Sequence, residues 1–409
     1  MLSPILKITH RNFRKPCLAV MVLLMLFGCG NGTKPDLPEE ILGMENLSIF
    51  SKEDIRVAGK LLLHKDLTFG ERDDLLLGEP IFVDVDGADR VYIADRQQMD
   101  VKVFSADGEY LRSIGRSGDG PGEFRQISHM LADNITLWVY DSILRRMSAF
   151  QAETGEFEGA IPIGGNLLEI DELASIYVRG IHKQPGHRFL IDAMSTVIPD
   201  PVTGWEAVEN RSRFYEMNNS GDLVEPSLFE RTSSYHIMMV LGPRMTATPV
   251  DFFPSLLTGV TADGRLIVMW PEHFLLEIHS ENGEPLHSIY YPVERIAYDP
   301  AASFDGADNE LTNRARREVR FPDYKPVSRH LLIDDVNRIW VSVNSKPPEE
   351  TKWWVLDDQS GELIARFDLP RDEPIEVIKN SYVYTRQTDE DTGLQQVVRY
   401  RVEIGDTDD

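Results

Sequence analysis

Apolar residues fall into short runs along residues 78–124, GEPIFVDVDGADRVYIADRQQMDVKVFSADGEYLRSIGRSGDGPGEF. The runs at 81–85, 90–94, 101–105 and 110–114 are separated by polar turns at Asp86-Gly87, 95–100 and Asp107-Gly108. Runs of this length bounded by acid-Gly pairs predict short antiparallel strands joined by tight turns. Four such strands cannot bury both faces of their sheet alone, so the pattern must repeat. It does, with weak identity and steady order. Residues 127–163 place Trp138 where the first unit has Tyr92, and Thr154-Gly155-Glu156 where it has Asp107-Gly108-Glu109. A third unit reads as two strands in 167–180 and two more in 213–229, the halves separated by an insertion. Residues 256–292 keep Asp263-Gly264 and Asn282-Gly283-Glu284, and residues 328–370 keep Trp340 and Ser360-Gly361-Glu362.

The last unit, residues 374–404, supplies three strands and lacks the Gly-Glu turn with the outer strand that should follow it. At the other end, residues 56–68 (RVAGKLLLHKDLT) form a strand-like segment without a partner. Joining the two closes a ring and removes the exposed edges an open array would carry. The expectation is an all-β, six-bladed β-propeller of four-stranded antiparallel blades, its ring closed by the N-terminal strand. Two packed antiparallel sheets are the competing arrangement, which the regular turns disfavour.

The phrases VDVDGADRVYIAD, VKVFSADGEYLRSIG and GRSGDGPGEF resemble NHL-repeat propellers. With FPDYKPVSRHLLIDDVNRIWV they look like the six-bladed β-propeller lipoproteins of bacterial envelopes. The resemblance covers residues 55–404 and implies an exported, lipid-anchored protein. Because propellers carry many unrelated activities, function must be argued from a site.

Residues 1–28 read as a lipoprotein signal peptide. Lys7, Arg11, Arg14 and Lys15 precede the apolar run 18–27, which is too short to span a bilayer. Leu26-Phe27-Gly28-Cys29 resembles the lipobox, with Cys29 as the lipidated residue and Phe27 bulkier than that motif prefers. The chain's two cysteines are Cys17, inside the leader, and Cys29, so no disulfide is expected in the domain. Residues 29–45 read as a flexible tether and 46–409 as the propeller. These features place the protein in the bacterial cell envelope, on the outer membrane. The formal charge is −25, and loss of a leader with four cations and no acid makes it more negative still. Nucleic acid is therefore excluded as a partner.

Departures from the repeat carry the functional signal. In a propeller the connection between second and third strands and the connection between blades share one face, and the other turns share the opposite face. Insertions at 181–212, 226–254 and 293–326 all fall on the first face and flank blade four, whereas the acid-Gly and Gly-Glu turns stay short. Residues 308–319 (DNELTNRARREV) read as a short helix within the last insertion. On this face Arg96, Arg145, His182, His187, His273, Lys346 and Arg386 form a ring of cations suited to an anionic ligand, with Trp270 as an aromatic platform. Neighbouring Asp95, Asp141, Glu272 and Asp389 are able to neutralise that ring. Asp84, Asp95, Asp141 and Asp263 recur with the repeat and are assigned to turn and strand-end hydrogen bonds.

No HExxH, GxSxG, P-loop or cysteine cluster occurs, so no catalytic residue and no metal ligand is assigned. The favoured function is a binding scaffold for a peptide, a glycan or an envelope protein. The alternative is a metal-assisted lactonase or lyase at the channel mouth, with calcium as its cofactor. Replacement of the acylated residue, Cys29→Ser, is expected to move the protein from the membrane fraction to the soluble fraction. Continued sedimentation with membranes after a high-salt wash would count against lipid anchoring.

Overall fold

The computed structural model describes residues 37–38, 41–56, 59–72, 75–166, 176–186, 188–196, 205–241, 244–249, 253–299, 321–344 and 349–405. Its inner strands, Pro80–Val85, Ile127–Ala132, Ile176–Gln184, Leu257–Val260, Leu331–Ile333 and Ile375–Lys379, touch one another in that order and return to the first. Each begins an antiparallel sheet running outward, so the chain forms six blades around a channel. Blades one and two are separate four-stranded sheets. Blades five and six join into one eight-stranded sheet. The join is Gly59–Phe69, which pairs antiparallel with Gln395–Gly405 of blade six and, through Gly59 and Lys60, parallel with Leu363–Pro370 of blade five. The N-terminal strand thus supplies the missing outer strand, as expected from the unpaired segment 56–68.

The strap has a further part. Leu47–Ile49 pairs parallel with the outer strand of blade four, Pro285–Tyr291, and a one-turn helix, Lys52–Arg56, carries the chain on toward blade six. Ile41 is buried, so packing already begins inside the stretch read as a tether. Phe50 stacks on Tyr291 (centroids 4.5 Å apart) and Ile55 packs on the cluster between blades four and five. The helix expected at 308–319 lies outside the described residues, as do Cys29 and the leader.

The apolar core is distributed between blades. Tyr92, Val101 and Val103 of blade one meet Ile127, Leu137 and Val139 of blade two. Corresponding clusters fill the other five junctions, from Met147 against Ile191 to Val85 against Tyr384. The strands nearest the centre of each sheet are buried on both faces, which is why Val91–Asp95 and Ile339–Val343 are buried along their whole length. The recurrent charged turns serve the same junctions. Asp86 Oδ2 accepts from Arg90 Nε (2.6 Å) and Tyr92 Oη (3.1 Å), and Asp334 Oδ2 accepts from Arg338 Nε (2.6 Å) and Trp340 Nε1 (2.9 Å). Asp84 receives Ala132 N of the next blade, while Asp95 and Asp141 each collect backbone N–H groups of the following turn. In GRSGDGPGEF, Arg146 donates to the carbonyls of Asp119, Gly120 and Glu123, and a side chain at Gly115 would collide with the Phe124 ring. That loop is a junction between blades one and two.

Blade three corrects the sequence reading. Residues 181–212 are not a loop insertion, because they contain the end of the strand Ile176–Gln184, all of Arg188–Thr196 and the first part of Trp205–Met217. Residues 226–254 likewise contain Phe229–Leu241 and a fifth strand, Arg244–Pro249. The reading failed because the Asp-Gly turn that marks the first hairpin of blades one and four is replaced here by Pro185-Gly186. The third and outer strands also run to 13 residues each and outlast the usual repeat. Pairing of residues 205–210 with 234–239 and of 236–241 with the fifth strand raises a three-stranded extension from the loop face. The excess chain is therefore on the face expected, in strand form.

Ring closure gives a sharp test in adjacent residues. Leu61 is 2 % exposed and Leu62 is 41 % exposed on the same closing strand. Leu61→Ala is expected to cost about 2–5 kcal/mol in chemical denaturation, and Leu62→Ala under about 1 kcal/mol. Equal losses would refute this register.

Candidate functional site

The loop face carries a cleft above blades three to five. Its polar half, about 610 Å³, lies between the raised extension of blade three and the entry to blade five. Thr196, Asn210 and Ser234 form one wall, a chain in which Thr196 Oγ1 donates to Asn210 Oδ1 (2.9 Å) and Asn210 Nδ2 donates to Ser234 Oγ (2.8 Å). Ser328, Arg329 and His330 form the other. Tyr235, Phe253 and Pro326 are shared with an aromatic half of about 400 Å³, which adds Trp270, Arg295, Phe321 and Tyr324. Tyr235 packs against Phe253 (5.6 Å) and edge-on to Trp270 (6.2 Å), and the Arg295 guanidinium lies 3.7 Å from the Tyr324 ring centroid. The rings are braced on one another and on backbone strands, which lowers the entropy cost of presenting them to a ligand.

Leu257, Arg329 and His330 also line the mouth of the central channel, a space of about 310 Å³. Deeper in the channel stand His129, His182, Arg179 and Asp192. Arg179 Nε meets Asp192 Oδ2 at 2.6 Å, and its Nη1 donates to Leu256 O at 2.9 Å, so this pair fastens blade three to the strand leading into blade four. Asp192 is fully buried, and burial raises its carboxyl above the usual range against the opposing pull of Arg179. Burial lowers His129 to about 4, and burial with the charges of His129 and Arg179 lowers His182 to about 3. Both imidazoles are therefore neutral at pH 7. A third space of about 310 Å³, lined by Ser128, Tyr140, Ser142 and Arg145, adjoins the cleft through Tyr177.

The residues expected from the sequence separate into groups. Trp270 lies in the cleft, half-buried at the end of a strand of blade four, and His273 follows in the same loop without lining it. Arg145 is exposed beside the adjoining space. His182 is on the inner strand of blade three, inside the channel, where the sequence had placed it in a peripheral loop. Arg96 and Arg386 leave the cation ring. Arg96 pairs with Glu79, which this hydrogen bond holds below the usual carboxylate range. Arg386 Nε bonds Glu376 (2.9 Å) while its Nη1 reaches Pro80 O (3.0 Å), fastening blade six to blade one. Among the described residues, the arginines and histidines that line these spaces come from blades two to five and the connections between them. His187 and Lys346 lie outside the described residues. Tyr235, Phe253, Arg295 and Tyr324 were missed because they fall in stretches read as insertions; the apolar run YHIMMV, which continues a strand, is a signal for Tyr235 alone. Among the described residues no three His, Cys, Asp or Glu side chains gather as a metal-holding group.

Comparison with known proteins agrees with the architecture. The DUF5128 family model, described as a 6-bladed beta-propeller, matches residues 70–165. No curated protein matches. A Bacteroides fragilis protein described as exported is similar in structure, with 11% identity, a TM-score of 0.50, and coverage of 88% of this chain and 99% of that one. A member of the DUF4221 family from Bacteroides vulgatus gives 11% identity and a TM-score of 0.44, covering 85% and 99%. Virginiamycin B lyase from Staphylococcus aureus gives 10% identity and a TM-score of 0.39, covering 84% and 99%. At these identities the likeness concerns the fold.

The channel histidines have a consequence for stability. A histidine whose folded pKa lies below the unfolded value of about 6.5 stabilises the fold above pH 6.5, and that contribution is lost as pH falls toward the folded value. The melting temperature is expected to fall between pH 6.5 and 4, and to fall less in the His129→Gln/His182→Gln double variant. Parallel pH profiles for the two proteins would show that the histidines are not buried neutral.

Proposed function

We propose that the protein is a lipid-anchored binding module of the cell envelope that holds a glycan chain in the cleft over blades three to five. The observation that carries this reading is the pairing of an aromatic half, with Tyr235, Phe253, Trp270 and Tyr324, to a half walled by Thr196, Asn210, Ser234 and Ser328. A sugar ring has an apolar face that stacks on aromatic rings and hydroxyls that exchange hydrogen bonds with side-chain hydroxyls and amides. A cleft of some 400 and 610 Å³ in two connected parts accommodates several such units.

The leader and Cys29 support the anchor. The orientation draws support from the strap: Asn46 Nδ2 donates to Leu286 O beside the Ser280–Glu284 turn, so the chain enters blade four from the side of the short turns. The cleft is on the other side, facing away from the anchor.

Binding to an array of neutral and acidic oligosaccharides tests the reading. Tyr235→Ala with Trp270→Ala is expected to weaken retention by about 2 kcal/mol or more, roughly thirtyfold. Charge reversals at Asp107, Glu156 and Glu362 on the turn face are expected to leave it within about twofold. Retention abolished by the reversals and kept in the aromatic variant would place the ligand on the opposite face.

A further inference from the structure

A second cleft lies on the outer rim, at the outer strands of blades five and six, and shares no lining residue with the cleft over blades three to five. Its origin is the way the ring is closed. The closing strand Gly59–Phe69 pairs with blade five only through Gly59 and Lys60, whereas its pairing with blade six continues to Phe69. Beyond Lys60 it parts from Leu363–Pro370, and a space of about 1180 Å³ opens there, bounded by the strap at Ile55 and Arg56 and by Trp354 and Phe367 of blade five. Register puts a row of residues on one face of this sheet. Trp354 is opposite Arg366, Arg366 is opposite Lys60, and Lys60 is opposite Gly405, so the two cations are immediate neighbours. Two residues along, Lys352 is opposite Asp368. Among the described residues, the four cations Arg56, Lys60, Lys352 and Arg366 line this space against one carboxylate, Asp368, in a chain where Asp and Glu outnumber Lys and Arg by 67 to 42.

The acids nearby along these elements are engaged elsewhere. Asp368 stands 4.0 Å from Lys352. Glu403, opposite Leu62 on the neighbouring strand, is 3.1 Å from His64 Nε2, and Asp54 of the strap helix accepts from Ser51 N (2.6 Å). Arg56, Lys60 and Arg366 are exposed, and no ion pair joins them to an acid among the described residues. Like charges directly opposite one another on adjacent strands destabilise a sheet, so the Lys60–Arg366 pair is a cost that an anion from outside the chain would relieve. We infer that the rim cleft is a second ligand site, which binds a phosphate-bearing molecule through Lys60, Arg366 and Arg56. Adjacent strands are about 4.8 Å apart, so one tetrahedral phosphate between the two neighbouring side chains touches both. A phosphate monoester carries about 1.5 to 2 negative charges at pH 7 and three acceptor oxygens, enough for the ammonium, the guanidinium fork and a third donor. A single carboxylate leaves one member of the pair uncompensated. Leu62 and Ile55 line the same space, so the rest of the molecule is held beside aliphatic side chains. The site is separate from the glycan cleft and does not depend on that reading.

Calorimetric titration of the full chain with glycerol 3-phosphate, dihexanoyl phosphatidic acid and succinate, in a phosphate-free buffer, tests the site. Glycerol 3-phosphate is expected to bind about tenfold tighter than succinate, and Lys60→Gln and Arg366→Gln are each expected to weaken it about tenfold. Lys52→Gln, on the strap but outside the cleft, is expected to change it less than about twofold. Should a strand variant fail to fold, Arg56→Gln makes the same test from outside the sheet, with a loss of about threefold expected. Without ligand, Lys60→Gln is expected to melt no lower than the parent, because it removes a like-charged neighbour, and saturating glycerol 3-phosphate is expected to raise the parent above the variant. Dihexanoyl phosphatidic acid binding about tenfold tighter than glycerol 3-phosphate would identify a lipid headgroup as the source of the phosphate, and equal binding a soluble ester; both uphold the site. Succinate binding as tightly as glycerol 3-phosphate would overturn phosphate recognition. Absence of phosphate-ester binding, or binding that survives all three substitutions in the cleft, would overturn the site itself and leave the glycan reading untouched.

Discussion

The structure depends on burial of both faces of every blade against its neighbours. No blade has a core of its own; the apolar residues lie in the junctions, and each junction needs two blades to exist. A linear array with this arrangement would end in two bare sheets. Closure of the ring removes them, and pairing of Gly59–Phe69 with Gln395–Gly405 ties the two ends of the chain together at the last blade. The parallel contact with blade five and the strand Leu47–Ile49 on blade four spread that tie across three blades. Each fully buried side chain in a junction contributes on the order of 1.5–3 kcal/mol, so a gap at one junction is felt by the two blades that form it.

Such a ring leaves its two faces free to differ. The turns between first and second strands and between third and outer strands pack on the adjacent blade, as Gly283 does against Leu228 and Gly361 against Ile289, and extra residues there would push blades apart. The opposite face also fastens blades, as Arg386 does to Pro80 O, but added chain there can rise away from the ring. There blade three has lengthened its strands, raised a wall, and brought Tyr235 to Trp270 of the next blade. The cleft is in this sense a by-product of where the scaffold tolerates growth, and its rigidity derives from strands continuous with the blade.

The same geometry divides the charged residues. Asp86, Asp334, Asp84 and Arg386 bridge strands or blades and have their partners within hydrogen-bonding distance. The recurrent aspartates could be assigned to structure from the sequence because they recur with the repeat. Arg96 and Arg386 could not be separated from Arg145 in that way, since all three sit near the second-to-third connection. Only Glu79 and Glu376, which are distant from a reader of the sequence yet adjacent in space, decide that two are fasteners and one faces a cavity.

By itself the sequence determined the repeat, the number of blades, the ring closure and the face on which the chain expands. Those follow from local periodicity, turn residues and the missing last strand, all of which are properties of neighbours along the chain. It did not determine how blade three is built, because Pro185-Gly186 replaces the usual turn and the long strands conceal the unit's length. It did not determine the cleft either. Tyr235, Phe253, Trp270, Tyr324 and His330 come from three blades, and their convergence depends on the radius and tilt of the closed ring, a tertiary quantity that no stretch of sequence encodes alone.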